Sequence, residues 1–214
     1  MEGLYLVTDR KLCGRRSLDD VVLAAAKGGC SCVQLREKDL STRLFIEEAK
    51  RIKKLLAPFS VPLIINDRLD VALAVGADGL HIGQDDIPYD TARKWLGPKA
   101  VIGLSVENWA DVTRAQDLDV DYIGVSPVFS TPTKTDTKDE WGLEGIKKIK
   151  AFTRHCIVAI GGLNLTNTYD AVMAGADCIA VVSAVCAADF PYKAARDLND
   201  LIHRALITRS DISE

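Results

Sequence analysis

At 214 residues, with 48% hydrophobic and 27% charged residues and a net charge of −3, the chain can fill one well-packed core but falls short of two ordinary domains. No apolar run approaches membrane-spanning length, and no long basic run suits sequence-independent nucleic-acid binding. Met1 to Val7 lacks the features of a secretory signal, so a cytoplasmic protein with small-molecule partners is expected, and a homo-oligomer stays open.

In chain order, the first strand reads Gly3 to Val7, and a polar turn leads to Ser17, which caps a helix ending at Gly28-Gly29. Cys32 to Leu35 is the second strand, followed at once by Arg36-Glu37-Lys38-Asp39. Ser41 caps a long helix with apolar residues at helical period, and Pro58 lies just beyond it. Leu63 to Ile65 is a third strand that runs into Asn66 and Asp67; a short helix stops at Gly76. Gly79 to Ile82 is the fourth, giving way to Gly83, Gln84, Asp85 and Asp86, with a helix from Pro88 to about Leu96.

Val101 to Leu104 forms the fifth strand and ends at Ser105, and Asn108 caps the helix after it. Tyr122 to Val125 is the sixth, opening into the longest loop, Ser126 to Gly142, and then a helix from Leu143 to Phe152. Ile157 to Ile160 is the seventh, ending in Gly161-Gly162, with a helix from near Thr166; Cys178 to Val182 is the eighth, ending at Ser183. The last helix covers Tyr192 to Ala205. Residues 1–206 thus form one domain, and 207–214 read as a frayed tail.

Ala74 to Gly79 and Met173 to Cys178 are near-copies, each a C-cap glycine, a tight turn and a strand entry, which supports a chain of repeated βα units. Eight strands alternating with eight helices, apolar on both faces, predict an α/β fold of the (β/α)8 TIM-barrel type. A doubly wound open sheet is the alternative, but it usually has fewer units, and no GxGxxG follows the first strand.

In such a barrel the C-terminal strand ends share one mouth. That mouth would gather Arg36, Lys38 and Lys134 with Asp67 and Asp86, a set suited to a diphosphate bridged by Mg²⁺. An Asp after a strand is also an ordinary helix N-cap, and a loop cation an ordinary solvated charge. Gly161-Gly162 and Val182-Ser183 would offer backbone N–H groups to a second phosphate, although most glycine pairs are tight turns. His81, inside a strand, reads as a hydrogen-bonded core residue rather than a general base. No Ser/His/Asp motif and no zinc-ligand spacing appears, and the six scattered cysteines suggest reduced, mostly buried thiols.

YLVTDR (Tyr5 to Arg10), QLREKD (Gln34 to Asp39), NDR (Asn66 to Arg68), ADGLHIGQDD (Ala77 to Asp86), IGLSV (Ile102 to Val106) and GVSPVFSTPTK (Gly124 to Lys134) together resemble the thiamine-phosphate synthase family. AIGGL (Ala159 to Leu163) and AVVSA (Ala180 to Ala184) extend the resemblance over nearly the whole chain. It implies a transferase that joins hydroxymethylpyrimidine diphosphate to a thiazole phosphate, carboxylated or not, giving thiamine phosphate and pyrophosphate. Carried over by residue, it places the pyrimidine diphosphate on Gln34, Leu35, Arg36, Glu37, Lys38, Asn66 and Lys134, with Ser105 beside the pyrimidine. Mg²⁺ falls on Asp67 and Asp86, and the thiazole phosphate on Thr131, Pro132, Thr133, Gly162, Val182 and Ser183. Arg36, Lys134 and Ser105 are the residues expected to act in catalysis.

The resemblance also implies a dissociative route, in which diphosphate leaves before the thiazole nitrogen attacks. Such a route needs no strong protein base, in agreement with the lack of an obvious catalytic histidine. Three rivals differ in what they would lose or require. A thiazole tautomerase on the same barrel should lack the intact diphosphate set, and a silent sensor of thiamine precursors could lose Asp67, Asp86 or Lys134, yet all are present. A sugar-phosphate isomerase or epimerase would need an acid/base pair that the sequence does not present.

Overall fold

A computed structural model describes residues 1–130 and 140–213. Its strands are β1 (Gly3–Val7), β2 (Cys32–Leu35), β3 (Leu63–Asn66), β4 (Gly79–Ile82), β5 (Val101–Val106), β6 (Tyr122–Val125), β7 (Cys156–Ile160) and β8 (Cys178–Val181). They pair in parallel, each with its sequence neighbour, and β1 closes on β8 through Gly3 opposite Cys178 and Leu6 opposite Val181. The expected (β/α)8 barrel is therefore what the chain forms. No helix among the described residues is long and apolar enough to cross a membrane.

Side chains alternate between two compartments because the strand period is two. Leu4, Leu6, Val33, Leu63, Ile65 and their counterparts point outward into a large core shared with the helices. Tyr5, Val7, Cys32, Ile64, Tyr122, Val158, Cys178 and Ala180 point inward and fill the barrel. Gly103 shows how tightly: a Cβ there would come within 2.0 Å of the Tyr122 ring, so only glycine lets that ring cross the lumen.

The helices are α1 (Leu18–Lys27), α2 (Thr42–Leu56), α3 (Leu69–Val75), α4 (Tyr89–Leu96), α5 (Trp109–Ala115), α6 (Gly142–Phe152), α7 (Thr168–Met173), α8 (Ser183–Cys186) and α9 (Pro191–Ser213). Ser17, Ser41 and Asn108 cap α1, α2 and α5 with their side-chain oxygens, as read from the sequence. Two readings change. The short α8 precedes the final helix, and that helix continues through the expected frayed tail to Ser213. Tertiary contacts hold it: Arg209 Nη1 donates to the carbonyls of Val172 and Ala176 at 2.9 and 2.7 Å, and Nη2 pairs with Asp177 at 3.1 Å.

The loop entering each even strand from β4 on repeats one device. Asp78, Asp121 and Asp177 accept through Oδ2 from the backbone N–H of Leu63, Ile102 and Ile157 at 2.9, 2.8 and 2.9 Å. Their own N–H groups return bonds to the carbonyls of the same three residues. Each aspartate thus locks the start of one strand to the entry of the next, at the rim opposite the C-terminal mouth.

Candidate active site

The C-terminal mouth encloses a cavity of about 370 Å³, within the range of small-molecule sites. Its lining follows from the alternation. Gln34, Asn66, His81, Ser105 and Gly124 lie on inward positions of their strands, and Arg36, Lys38, Asp67, Asp86, Gly162, Val182 and Ser183 lie just beyond strand ends. Ser105 sits inside β5, one residue before its end, rather than after it.

Leu35 and Glu37 do not join them. Leu35 is wholly buried in the outer core, because a strand that aims Gln34 inward must aim the next side chain outward. Glu37 turns to Arg10, whose Nε and Nη2 donate to it at 3.2 and 2.9 Å. Arg10 also pairs with Glu48, a buried carboxylate on α2 that in turn binds Arg51 at 3.0 Å. This ionic cluster braces the Arg36 to Lys38 segment from outside, and the buried Thr8 hydroxyl receives the Arg36 N–H at 3.0 Å from inside. Thr131, Pro132, Thr133 and Lys134 lie outside the described residues.

Asp67 is held in a left-handed backbone conformation, φ 61°, by its N–H bond to the His81 carbonyl at 2.8 Å. Aspartate tolerates that region better than most residues, and here it turns the carboxylate toward Asp86. The Asp67 carboxylate accepts from Lys38 Nζ at 2.5 Å, and Asp86 accepts from the Gly83 N–H at 2.7 Å. Burial, with the neighbouring Asp67 charge added, raises the Asp86 pKa. For Asp67 burial is outweighed by bonds from Lys38 and Asp86, and its pKa is lowered. Two close carboxylates of opposite shift share a site that favours one proton or one cation.

These are hard oxygen donors, and among the described residues no group of three or more His, Cys, Asp or Glu side chains could hold a metal. A pair of carboxylates suits Mg²⁺, which takes its remaining ligands from water and phosphate, better than a metal that needs a full protein cage.

Across the mouth, Gly161 and Gly162 have φ of 103° and 66°. A Cβ on Gly162 would meet the Ser130 carbonyl oxygen at 2.7 Å, and the Val128 and Phe129 N–H groups donate to the carbonyls of Ile160 and Gly161. The glycine pair therefore seats the start of the β6 loop on the end of β7, next to Val182 and Ser183 at the start of α8.

Deeper in the lumen the structure adds what the sequence reading missed. Gln34 Nε2 donates to the Tyr5 hydroxyl at 3.0 Å, and Tyr5 and Tyr122 hydroxyls lie 2.9 Å apart. Tyr122 Oη is 2.9 Å from His81 Nδ1, and His81 Nε2 is 2.8 Å from Ser105 Oγ. One polar chain thus crosses the barrel floor. Its signal in the sequence is faint: Tyr5 and Tyr122 are aromatic residues within strands, and only the inward register separates them from core filler.

Comparison with known proteins bears on the family of the chain. A family model described as thiamine monophosphate synthase matches residues 4–185. The chain belongs to the thiamine monophosphate synthase family. It is 55% identical to a thiamine-phosphate synthase of Albidiferax ferrireducens over 93% of this chain and 91% of that protein. A thiamine-phosphate synthase of Leptospira biflexa is 52% identical, over 91% and 94% respectively. Among solved structures, a thiamine phosphate pyrophosphorylase from Pyrococcus furiosus superposes with a TM-score of 0.87 at 35% identity, covering 95% of this chain and 96% of that one. A 3-hexulose-6-phosphate synthase with a TM-score of 0.67 and 16% identity shares the fold alone. The matched residues run from β1 into α8, so the mouth lies within them.

Proposed function

We propose that the chain is a Mg²⁺-dependent transferase that condenses 4-amino-5-hydroxymethyl-2-methylpyrimidine diphosphate with a hydroxyethylthiazole phosphate, forming thiamine phosphate and releasing pyrophosphate. The observation that carries this reading is the meeting of Arg36, Lys38, Asp67 and Asp86 on one side of a single cavity, in a chain that belongs to the family. Phosphorylated substrates and unpaired thiols at all six cysteines are in keeping with a cytoplasmic enzyme.

The residues divide the work. Arg36 and Lys38 face the diphosphate and neutralise the charge that grows on it as the carbon–oxygen bond breaks. Lys134 is assigned to the same task through the resemblance. Asp67 and Asp86 would hold Mg²⁺, which would supply further charge neutralisation to the leaving group. Diphosphate departs with the bonding electron pair, the amino group of the pyrimidine stabilises the methylene cation, and the thiazole nitrogen closes the new carbon–nitrogen bond. Asn66 stands beside the metal pair, and Gln34 and Ser105 hold the pyrimidine. Gly162, Val182 and Ser183, with Thr131, Pro132 and Thr133, receive the thiazole phosphate.

Because the chemistry is carried by the leaving group and the substrate amine, the protein needs alignment and charge more than a strong base. The direct test incubates purified protein with both substrates, with Mg²⁺ and after chelation. Thiamine phosphate and pyrophosphate should appear in equal amounts with Mg²⁺ and fall to background without it. Product formation indifferent to Mg²⁺ rejects the metal assignment, and absence of product under both conditions rejects the reaction.

A further inference from the structure

We propose that the chain of hydrogen bonds through Tyr5, Tyr122 and His81 is polarised in one direction, fixing His81 as the Nε2–H tautomer, so that the cavity accepts a 4-aminopyrimidine and refuses its 4-oxo counterpart. The inference rests on the pyrimidine reading above and adds to it how the ring is recognised.

The direction follows from one end. An amide nitrogen only donates, so Gln34 Nε2 gives its proton to Tyr5 Oη at 3.0 Å. The Tyr5 proton then goes to the Tyr122 oxygen, 2.9 Å away; among the described residues its other candidate acceptor is the Cys32 thiol, a weak one. Burial raises the pKa of both phenols well above the ordinary value, so each keeps its single proton to pass along. With Tyr5 donating to it, Tyr122 has only His81 Nδ1, 2.9 Å away, left among the described residues to receive its own buried proton, and it donates there. With Nδ1 accepting, the ring proton resides on Nε2 and points at Ser105 Oγ, 2.8 Å away. Ser105 accepts there, which frees its own proton for the cavity.

At the other end, Gln34 has committed an N–H inward, and its Oε1 meets no donor among the described residues while the side chain lines the cavity. The floor thus presents one acceptor at Gln34 and one donor at Ser105. An aminopyrimidine offers the complement, an exocyclic N–H for Gln34 and a ring nitrogen lone pair for Ser105. The 4-oxo ring sets its carbonyl against Gln34 Oε1, acceptor facing acceptor, and its ring N–H against the Ser105 proton, donor facing donor; buried mispairings of that kind are costly, and the second exists only while Tyr122 holds His81 as the Nε2–H tautomer. Tyr5, Tyr122 and His81 are positioning residues that act through Gln34 and Ser105.

Two measurements decide it. The first uses ¹⁵N-labelled wild-type protein, with the His81 signals identified by their loss in His81→Gln. Nε2 should carry the proton and Nδ1 should be bare; an Nδ1–H ring or a doubly protonated one overturns the proposal. The second compares the 4-oxo pyrimidine diphosphate, as a competitive inhibitor, with the 4-amino substrate. The wild type should bind the oxo ring roughly 100-fold more weakly. In Tyr122→Phe, which removes the proton sent to Nδ1 while keeping the ring, the ratio should shrink to under about tenfold. A ratio unchanged by Tyr122→Phe overturns the proposal, since lost folding would scale both ligands alike. If Tyr122→Phe does not fold, the wild-type tautomer decides alone. A wild type that makes no thiamine phosphate strikes the functional reading, and the tautomer measurement still judges the network.

Discussion

The two rims of this barrel use the same side chain for opposite ends. At the N-terminal rim, Asp78, Asp121 and Asp177 bind the starts of β3, β5 and β7, and Asp121 and Asp177 also meet Arg93, and Lys150 with Arg209. At the C-terminal rim, Asp67 and Asp86 are turned toward each other and toward a cavity, with Lys38 and one backbone N–H as partners. An aspartate whose oxygens are filled by the strand ladder is part of the frame. One set beside a like charge at the lip of a cavity is kept against its electrostatic cost, and such costs gather at sites of function.

The sharpest break between the rims is expected at the top. Asp67→Asn removes the charge proposed to hold Mg²⁺ and to pair with Lys38, keeps a residue suited to φ 61°, and should lower kcat for the condensation by about 10²–10³-fold, while Tm moves little. Steady-state kinetics beside a thermal melt of the same sample checks both halves. Equal loss of Tm and of rate would place Asp67 with the frame instead.

At the bottom the pattern should invert. Asp177→Ala leaves the Ile157 N–H without its acceptor and frees Lys150 and Arg209 from their shared carboxylate. The cost should be about 1–3 kcal/mol of unfolding free energy, read from urea denaturation, with kcat per folded molecule unchanged. The variant should also loosen the C-terminal turns of α9, because Arg209 is what joins them to the β7–β8 side of the barrel. Faster amide exchange in residues 207–213 than in residues 191–205 would show this.

That helix end marks one limit of reading the sequence. Ile207 and Ile212 are exposed, so periodicity gives no reason to extend the helix, and the reason lies in Arg209 reaching two carbonyls more than thirty residues away. The strands were legible because their apolar β-branched runs are bounded by glycine and polar residues: β1, β2, β4 and β6 fall where their composition puts them. The rim residues were legible for the same reason, since strand ends in a barrel converge. Leu35 and Glu37 belong to one contiguous sequence motif with Gln34, Arg36 and Lys38, whereas alternation sends Leu35 into the outer core and Arg10 draws Glu37 aside. The tyrosines of the lumen are not legible in the sequence, because an inward and an outward aromatic look alike until the register is known.

The smallest effect, and the most specific, concerns pH. Burial and the charge of Asp67 raise the Asp86 pKa, and Lys38 and Asp86 together bring that of Asp67 down against the effect of burial. For the metal-free protein the two contributions oppose one another. A raised carboxylate stabilises the fold below its unfolded pKa and loses that contribution as pH rises through the folded value. A lowered one stabilises above its unfolded pKa and loses it as pH falls through the folded value. As pH rises across the acid range, Asp86 therefore takes stability from the metal-free protein while Asp67 adds to it. Mg²⁺ binding responds in one sense only, because below the raised Asp86 pKa the cation must displace a proton from that carboxylate. Its affinity, measured by calorimetry in buffers of different ionisation enthalpy, should weaken by up to about tenfold per pH unit as pH falls through the raised Asp86 value, with up to one proton released per ion. Asp86→Asn should abolish the proton release as well as weaken binding. A release that persists in Asp86→Asn would locate the displaced proton elsewhere and dissolve the distinction drawn between the paired carboxylates of the mouth and the tied ones of the opposite rim.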